Sequence, residues 1–393
     1  MRRNLLRGRD SHSEERVGSI ELFFDLVFVF AVTQVSHIII LHPDARGFAE
    51  AAILFVAIWW VWVETAWVTN FLDVRPMPVR MLLFTLMAGA LLLSISLPQA
   101  FGPRGLLFAA CFVAIQLGRH VFMLLALARH APGNYRNFQR IIVWTLIEAP
   151  FWIAGALQQD EAARMALWTI ALLILNGAPM IGFALPVLGR SETRIWNVEG
   201  HHFSERCGLF IIIALGESIV VTGASFGETA WSAPAIAAFA SAFIGTIAMW
   251  WLYFDIGAER AARLLAQDED PGRMARLAYT YLHIPIVAGI VVTAASDGMA
   301  VVRPLGAAGT GAIVALLGGP ALYLAGNLLF KRSSGGAYFP LSHLVGLGLL
   351  ALLAPFAPRF SALLLSLAAT GVLVLVAIWE LRSLRDTRRA LSA

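Results

Sequence analysis

The sequence predicts an all-α integral membrane protein of about twelve transmembrane helices, and three observations lead there. Hydrophobic residues make up 59% of the 393 positions and charged residues only 14%, too few to cover a soluble fold of this size. Apolar runs of roughly 20 residues, the length that crosses a bilayer as a helix, recur along the whole chain. Finally, the basic residues collect in alternate loops, the pattern that fixes orientation in a membrane.

In order, the first six runs cover 20–41, 51–72, 80–98, 105–128, 138–157 and 165–188. Six more cover 206–225, 235–256, 277–296, 307–330, 341–357 and 361–381, the 341–357 run being the shortest. Arg2, Arg3, Arg7, Arg9 and Arg16 precede the first span. Alternate loops then hold Arg75 and Arg80; Arg129, Arg136 and Arg140; Arg190, Arg194 and Arg206; Arg260, Arg263, Arg273 and Arg276; Lys331 and Arg332. Arg382, Arg385, Arg388 and Arg389 follow the last span. This set holds 23 basic residues, against 5 (Arg46, Arg104, Arg164, Arg303 and Arg359) in the other loops. Both termini are therefore expected to be cytoplasmic, in the cell membrane, with an even number of spans. The net charge of +4 is topological, and no nucleic-acid partner follows from it. The first run is longer than a signal-peptide core and contains Asp25, so it is expected to stay as a helix. Cys111 and Cys207 fall at opposite ends of their spans, which argues against a disulfide.

An internal duplication is expected. "ERVG" at 15–18 recurs as "ERCG" at 205–208, and "WWVWVE" at 59–64 recurs as "WWLYFD" at 250–255, offsets of 190 and 191 residues. Six helices per copy would give two parallel six-helix repeats: residues 1–188, a cytoplasmic linker over 189–205, and 206–393. Repeats of that kind often place a pathway between their halves.

A charge at the centre of a lipid-embedded helix costs about 2.5 to 3.5 kcal/mol on insertion scales, so each one present calls for a partner, a proton or water. Asp25, Glu64, Arg119, Glu148 and Glu217 all fall inside predicted spans. Glu21 and Asp25 stand four apart on one helix face, with Arg16 close enough to sit between them. Glu217 lies 11 residues after Arg206, about three turns deeper on the same face. Glu64 and Asp255 are equivalent under the duplication, and Asp255 and Glu259 repeat the spacing of four. Arg119 is expected to pair with Glu148. His283 precedes Pro285, which removes a backbone donor and frees a carbonyl one turn earlier. Glu21, Asp25, Glu64, Arg206, Glu217, Asp255, Glu259 and His283 are therefore the candidate ion- or substrate-binding residues.

"ELFFDLVFVFAVTQVSH", "HHFSERCGLFIIIALGESIV", "WLYFDIGAE" and "YLHIPIVAGIV" together resemble the bacterial low temperature requirement protein A family, over nearly the whole chain. The resemblance implies a multi-pass membrane protein linked by name to growth in the cold. It marks Glu21, Asp25, Glu205, Arg206, Glu217, Asp255, Glu259 and His283 as the polar signature. This chain departs from the family pattern at Cys207, where Phe is common.

The composition and buried carboxylates point first to a transporter or permeation protein for a small solute or ion, with the bilayer and protons or cations as partners. Glu21 and Asp25 would then line the cytoplasmic entrance to a polar cavity. The alternative is a membrane-embedded metal-dependent enzyme drawing on His201, His202, Glu205, Asp255, Glu259 and His283. No HExxH spacing, nucleophile elbow or phosphate-binding glycine loop occurs, so neither a catalytic residue nor a cofactor is expected. A sensor or assembly factor, in which the buried charges only hold helices together, is the third reading.

Overall fold

The computed structural model describes residues 4–8, 17–196, 198–255, 257–334 and 339–383. Glu15 and Arg16 of the first repeat motif, and Arg2, Arg3, Arg9, Arg385, Arg388 and Arg389, lie outside the described residues. Among those described the chain is helical, without a named β-strand. The first helices are α1 (Ser19–Leu41), α2 (Ala45–Phe71), α3 (Met77–Ser96), α4 (Gly105–Leu127), α5 (Pro132–Leu157) and α6 (Glu161–Met180). After them come α7 (Gly200–Gly227), α8 (Ala233–Phe254), α9 (Gly257–Gln267), α10 (Pro271–Met274), α11 (His283–Val302), α12 (Thr310–Ser333), α13 (Leu341–Leu353) and α14 (Ala362–Ser383).

Eleven helices among the described residues are long and apolar enough to cross a membrane, which makes this a multi-pass membrane protein. The expected twelfth, at 341–357, is the 13-residue α13. At 1.5 Å per residue it spans about 20 Å, short of a hydrocarbon core of about 30 Å. Pro340 precedes it, and Pro355 and Pro358 prevent its extension. Two further features lay outside the sequence reading. The chain beyond α8 continues into α9, whose Ala261 and Leu265 are buried while Glu259 and Arg260 are exposed. Ala275–Tyr281 between α10 and α11 is a π-helix, in which Leu282 N–H donates to Leu277 O five residues back at 3.1 Å.

The helices turn their polar groups inward and their apolar groups outward. On α1, Glu21, Phe24, Asp25 and Phe28 are at most 1% exposed, whereas Leu22, Phe23, Leu26 and Phe30 are 39% to 58% exposed. An apolar outer stripe over a charged inner one suits hydrocarbon and not water.

The chain divides into two compact units. The first comprises Met1–Val35, Ala49–Arg206 and Asp268–Ala275. In it α3 packs on α4, α4 on α5 and α5 on α6, around Phe108, Phe112, Trp152 and Trp168, whose rings lie 4.6 to 6.5 Å apart. Arg164, 7% exposed, donates to the carbonyls of Gly155, Ala156 and Gln158, satisfying acceptors that the end of α5 leaves without amide partners.

The second unit comprises Ser36–Phe48, Cys207–Gln267 and Arg276–Ala393. Its closest helix pair is α11 with α12, held together by glycines on both sides. A Cβ at Gly289 would stand 2.4 Å from Tyr323 N, and one at Gly319 would stand 2.7 Å from Thr293 N. Small residues here allow the backbones to touch, the usual route to tight helix pairing in lipid. α8 packs on α14 through Ser241 Oγ, 3.0 Å from Ser366 Oγ and 3.2 Å from Thr370 Oγ1.

Candidate functional site

The first unit holds a closed ionic network around Arg206. Glu21 sits at the third residue of α1, where its Oε2 accepts from Gly18 N–H at 2.9 Å, half of a capping box. Its Oε1 accepts from Arg206 Nη1 at 2.9 Å. One turn deeper, Asp25 Oδ1 accepts from Arg206 Nη2 at 2.5 Å and from Trp62 Nε1 at 2.8 Å. Arg206 Nη1 also donates to Thr69 Oγ1 at 3.1 Å, and the guanidinium carbon lies 6.0 Å from the centre of the Trp62 ring. Glu21, Asp25, Arg206 and His202 are all 0% exposed.

His202 is held by Asn70, Glu21 and Arg7. Asn70 Nδ2 donates to Glu199 O at 2.8 Å while Asn70 Oδ1 accepts from Glu199 N–H at 2.8 Å, which fixes the amide. Asn70 Nδ2 therefore faces His202 Nδ1 as a donor, at 3.3 Å. Nδ1 is then an acceptor, while Nε2 lies 3.1 Å from Glu21 Oε2 and 3.2 Å from the donor Arg7 Nη2. The fourth carboxylate oxygen of the pair, Asp25 Oδ2, is buried with no hydrogen-bond partner among the described residues.

Sequence reasoning expected Glu21 and Asp25 to line the cytoplasmic entrance to a polar cavity. They are instead shut around one guanidinium, because three helices converge there and Arg206 forks between carboxylates one turn apart. Thr69, His202 and Trp62 were missed as members of the network. The indole of Trp62 could have been flagged as a buried donor needing an acceptor.

A second network lies in the same unit. Arg119 pairs with Glu64 and also bonds Gln116, Val61 O and Thr65 Oγ1. The expected Arg119–Glu148 ion pair is corrected by this finding: Glu64 on α2 presents its carboxylate to the guanidinium directly. Glu148 is 2% exposed, and its Oε1 meets no donor among the described residues. His120 Nε2 is 3.2 Å from Glu64 Oε2, and Nδ1 is 3.1 Å from Thr145 Oγ1. The Thr145 hydroxyl donates to Ile141 O at 3.0 Å, so His120 Nδ1 donates to it in turn. Arg119 Nη2, which can only donate, lies 3.5 Å from the same Nε2, so a neutral imidazole with its proton on Nδ1 fits these neighbours.

In the second unit, His283 is 0% exposed. Its Nδ1–H donates to Ala278 O at 2.9 Å, a carbonyl of the π-helical segment, and its Nε2 accepts from Tyr253 OH at 2.7 Å. The carbonyl one turn before Pro285 is that of Tyr281, so the one His283 meets, Ala278 O, is not the carbonyl expected to be freed. Tyr279 stacks on the ring at 5.2 Å, and Phe330 meets it edge-on at 4.8 Å. Glu217 on α7 is 0% exposed. Asp255 is half-buried at the end of α8 and acts electrostatically on Lys331. Glu259 is 52% exposed and pairs with Arg263 at 2.6 Å. The structure therefore brings Glu21, Asp25 and Arg206 together, gives Glu64 to Arg119, and puts His283 with Tyr253.

Two further buried groups had escaped the sequence reading. Lys331 bonds Glu380 at 2.6 Å, and His343 lies 3.3 Å from the same carboxylate. Asp297 on α11, one residue beyond the expected end of its span, is 4% exposed. Among the described residues no three His, Cys, Asp or Glu side chains converge as a metal-binding group.

The family described as bacterial low temperature requirement A protein matches residues 16–378. The chain is 39% identical over 391 residues to an uncharacterized protein of Rhizobium meliloti (strain 1021), covering 97% of this chain and 93% of that protein. No solved structure matches the chain. By this match over most of its length, the chain belongs to the bacterial low temperature requirement A family.

Proposed function

We propose that this protein moves protons or a small cation across the cell membrane, and that the Arg206 network is where the moving charge exchanges. The observation that carries the proposal is Asp25: one carboxylate oxygen is shared by Arg206 and Trp62 while the other, fully buried, has no donor among the described residues. A proton or cation taken up at Oδ2 cancels the charge that grips Arg206 Nη2. Arg206 is then left on Glu21 and Thr69, and the α1–α7 contact loosens. The described conformation is, in this reading, the closed one.

Two parallel six-helix halves, with both termini cytoplasmic, fit the proposal when the short α13 and residues 354–360 after it together complete the six crossings of the second half. Under the 191-residue offset Trp62 and Tyr253 are equivalent, and each is a buried donor to an ionisable side chain on another helix, Asp25 and His283. A metal-dependent enzyme is the less favoured reading, since His202 is engaged by Glu21 and Asn70, and Glu259 by Arg263. Flux across sealed vesicles carrying the pure protein, wild type against Asp25→Asn, tests the proposal.

A further inference from the structure

Asp297 is a buried carboxylate that no charged side chain among the described residues pairs with. It is 4% exposed, and no described residue makes an ion pair or hydrogen bond with it. Its surroundings are fixed by the next residue. A Cβ at Gly298 would stand 3.2 Å from Ser225 Oγ, 3.4 Å from Val221 Cγ1 and 3.6 Å from Ile40 Cδ1, so α1, α7 and α11 meet at this level.

Ser36 lies one turn before Ile40 on the same face of α1, is 0% exposed, and its Oγ has no hydrogen-bond partner among the described residues. On α7, Glu217 precedes Val221 by one turn on the facing stripe and is fully buried. Helical side chains lean toward the N-terminus, which carries the Asp297 carboxylate back over the turn at Thr293 and Ala294, to the N-terminal side of the Gly298–Ile40 approach, as Ser36 is on α1. The remaining ionisable groups lie elsewhere. His37 and Arg303 are exposed. Tyr253 on α8 bonds His283, Tyr323 on α12 lies against Gly289, and Glu380 on α14 bonds Lys331.

A bare carboxylate in such a place is strongly disfavoured, so its charge must be removed by a proton or matched by a cation. One carboxylate with hydroxyl oxygens suits a hard, singly charged ion. Imidazole and thiolate, which transition metals favour, are absent from it among the described residues. We infer that Asp297 and Ser36 form a binding site for a monovalent cation, either a proton or Na⁺, in the second unit. The site shares no residue with the Arg206 network and stands whether or not that network exchanges protons.

Dicyclohexylcarbodiimide, an apolar reagent that adds to protonated buried carboxyls, provides the test. The full-length protein in lipid nanodiscs is treated from about pH 5 to about pH 9, in sodium or choline chloride, and read by peptide mass spectrometry. Modification of Asp297 should fall about tenfold per pH unit above its titration. Suppression by sodium at constant pH identifies Na⁺ as an occupant, and equal labelling in both salts identifies the proton alone. Modification that ignores both pH and salt overturns the site. A parallel melt covers the case of a shielded carboxyl. If Asp297 is not labelled, and sodium raises the melting temperature of wild type no more than that of Asp297→Asn, the proposal is wrong.

Discussion

Arg206 Nη2 donates to Asp25 Oδ1 at 2.5 Å, with both side chains fully buried and 181 residues between them in the chain. The contact joins α7 to α1 inside a membrane-spanning unit, where it is at once a structural tie and a charge that has to be managed. A structural and a functional role are separable by variants of its two ends.

Replacing Arg206 by Met leaves Glu21 and Asp25 buried without a counter-charge and should lower stability by about 3 to 5 kcal/mol. Arg206→Lys keeps the charge but cannot fork between two carboxylates and Thr69, so its loss should be smaller but clear. Asp25→Asn keeps the acceptor for Trp62 and Arg206, and should melt within a few degrees of wild type. Thermal unfolding in one detergent ranks the three. An Arg206→Met protein as stable as wild type would contradict the described network.

Glu64→Gln should cost roughly 3 to 5 kcal/mol, because Arg119 then stands as an uncompensated buried cation. Converting both partners, Glu64→Leu with Arg119→Met, should recover most of that loss. A double variant worse than the sum of the single ones would place the partner of Arg119 elsewhere.

Gly289→Ala drives a methyl against Tyr323 N and should cost about 1 to 3 kcal/mol or more, since backbone has to move. Gly318→Ala on the facing helix meets nothing within 4 Å and should be neutral or slightly stabilising, by about 0.5 to 1 kcal/mol. Equal effects in a melt would contradict the α11–α12 packing.

Single cysteines placed at Ser11 and Ser392, in a background lacking Cys111 and Cys207, should resist an impermeant maleimide in intact cells and react once the cells are opened. Labelling of either one in intact cells would overturn the cytoplasmic placement of that terminus.

The helices were legible because lipid leaves one solution to an apolar run of roughly 20 residues. The side-chain partnerships were less so. That Asp25 and Arg206 act together could be anticipated from insertion cost, whereas the choice of Glu64 over Glu148 for Arg119 depends on how α2 rotates against α4, which no local pattern encodes. His202 and Trp62 were hidden for the same reason: an aromatic donor in a run of tryptophans reads as packing until its acceptor arrives from another helix. Asp297, Lys331 and Glu380 fell at or just past the ends of hydropathy windows, where a charge looks interfacial. In the folded chain the helix around Asp297 runs on to Val302, and Glu380 is half-enclosed by Lys331 and His343.

The most direct measurement of the central claim is ion flux into sealed proteoliposomes, followed with pH- and cation-sensitive dyes, for wild type and for Asp25→Asn of matched stability and incorporation. The account predicts movement of protons or a monovalent cation in the wild type and loss of at least about nine-tenths of it, some 1.4 kcal/mol on the rate, in the variant. Wild-type flux that persists unchanged in a folded Asp25→Asn protein, or vesicles that stay silent to every ion tested, would contradict it.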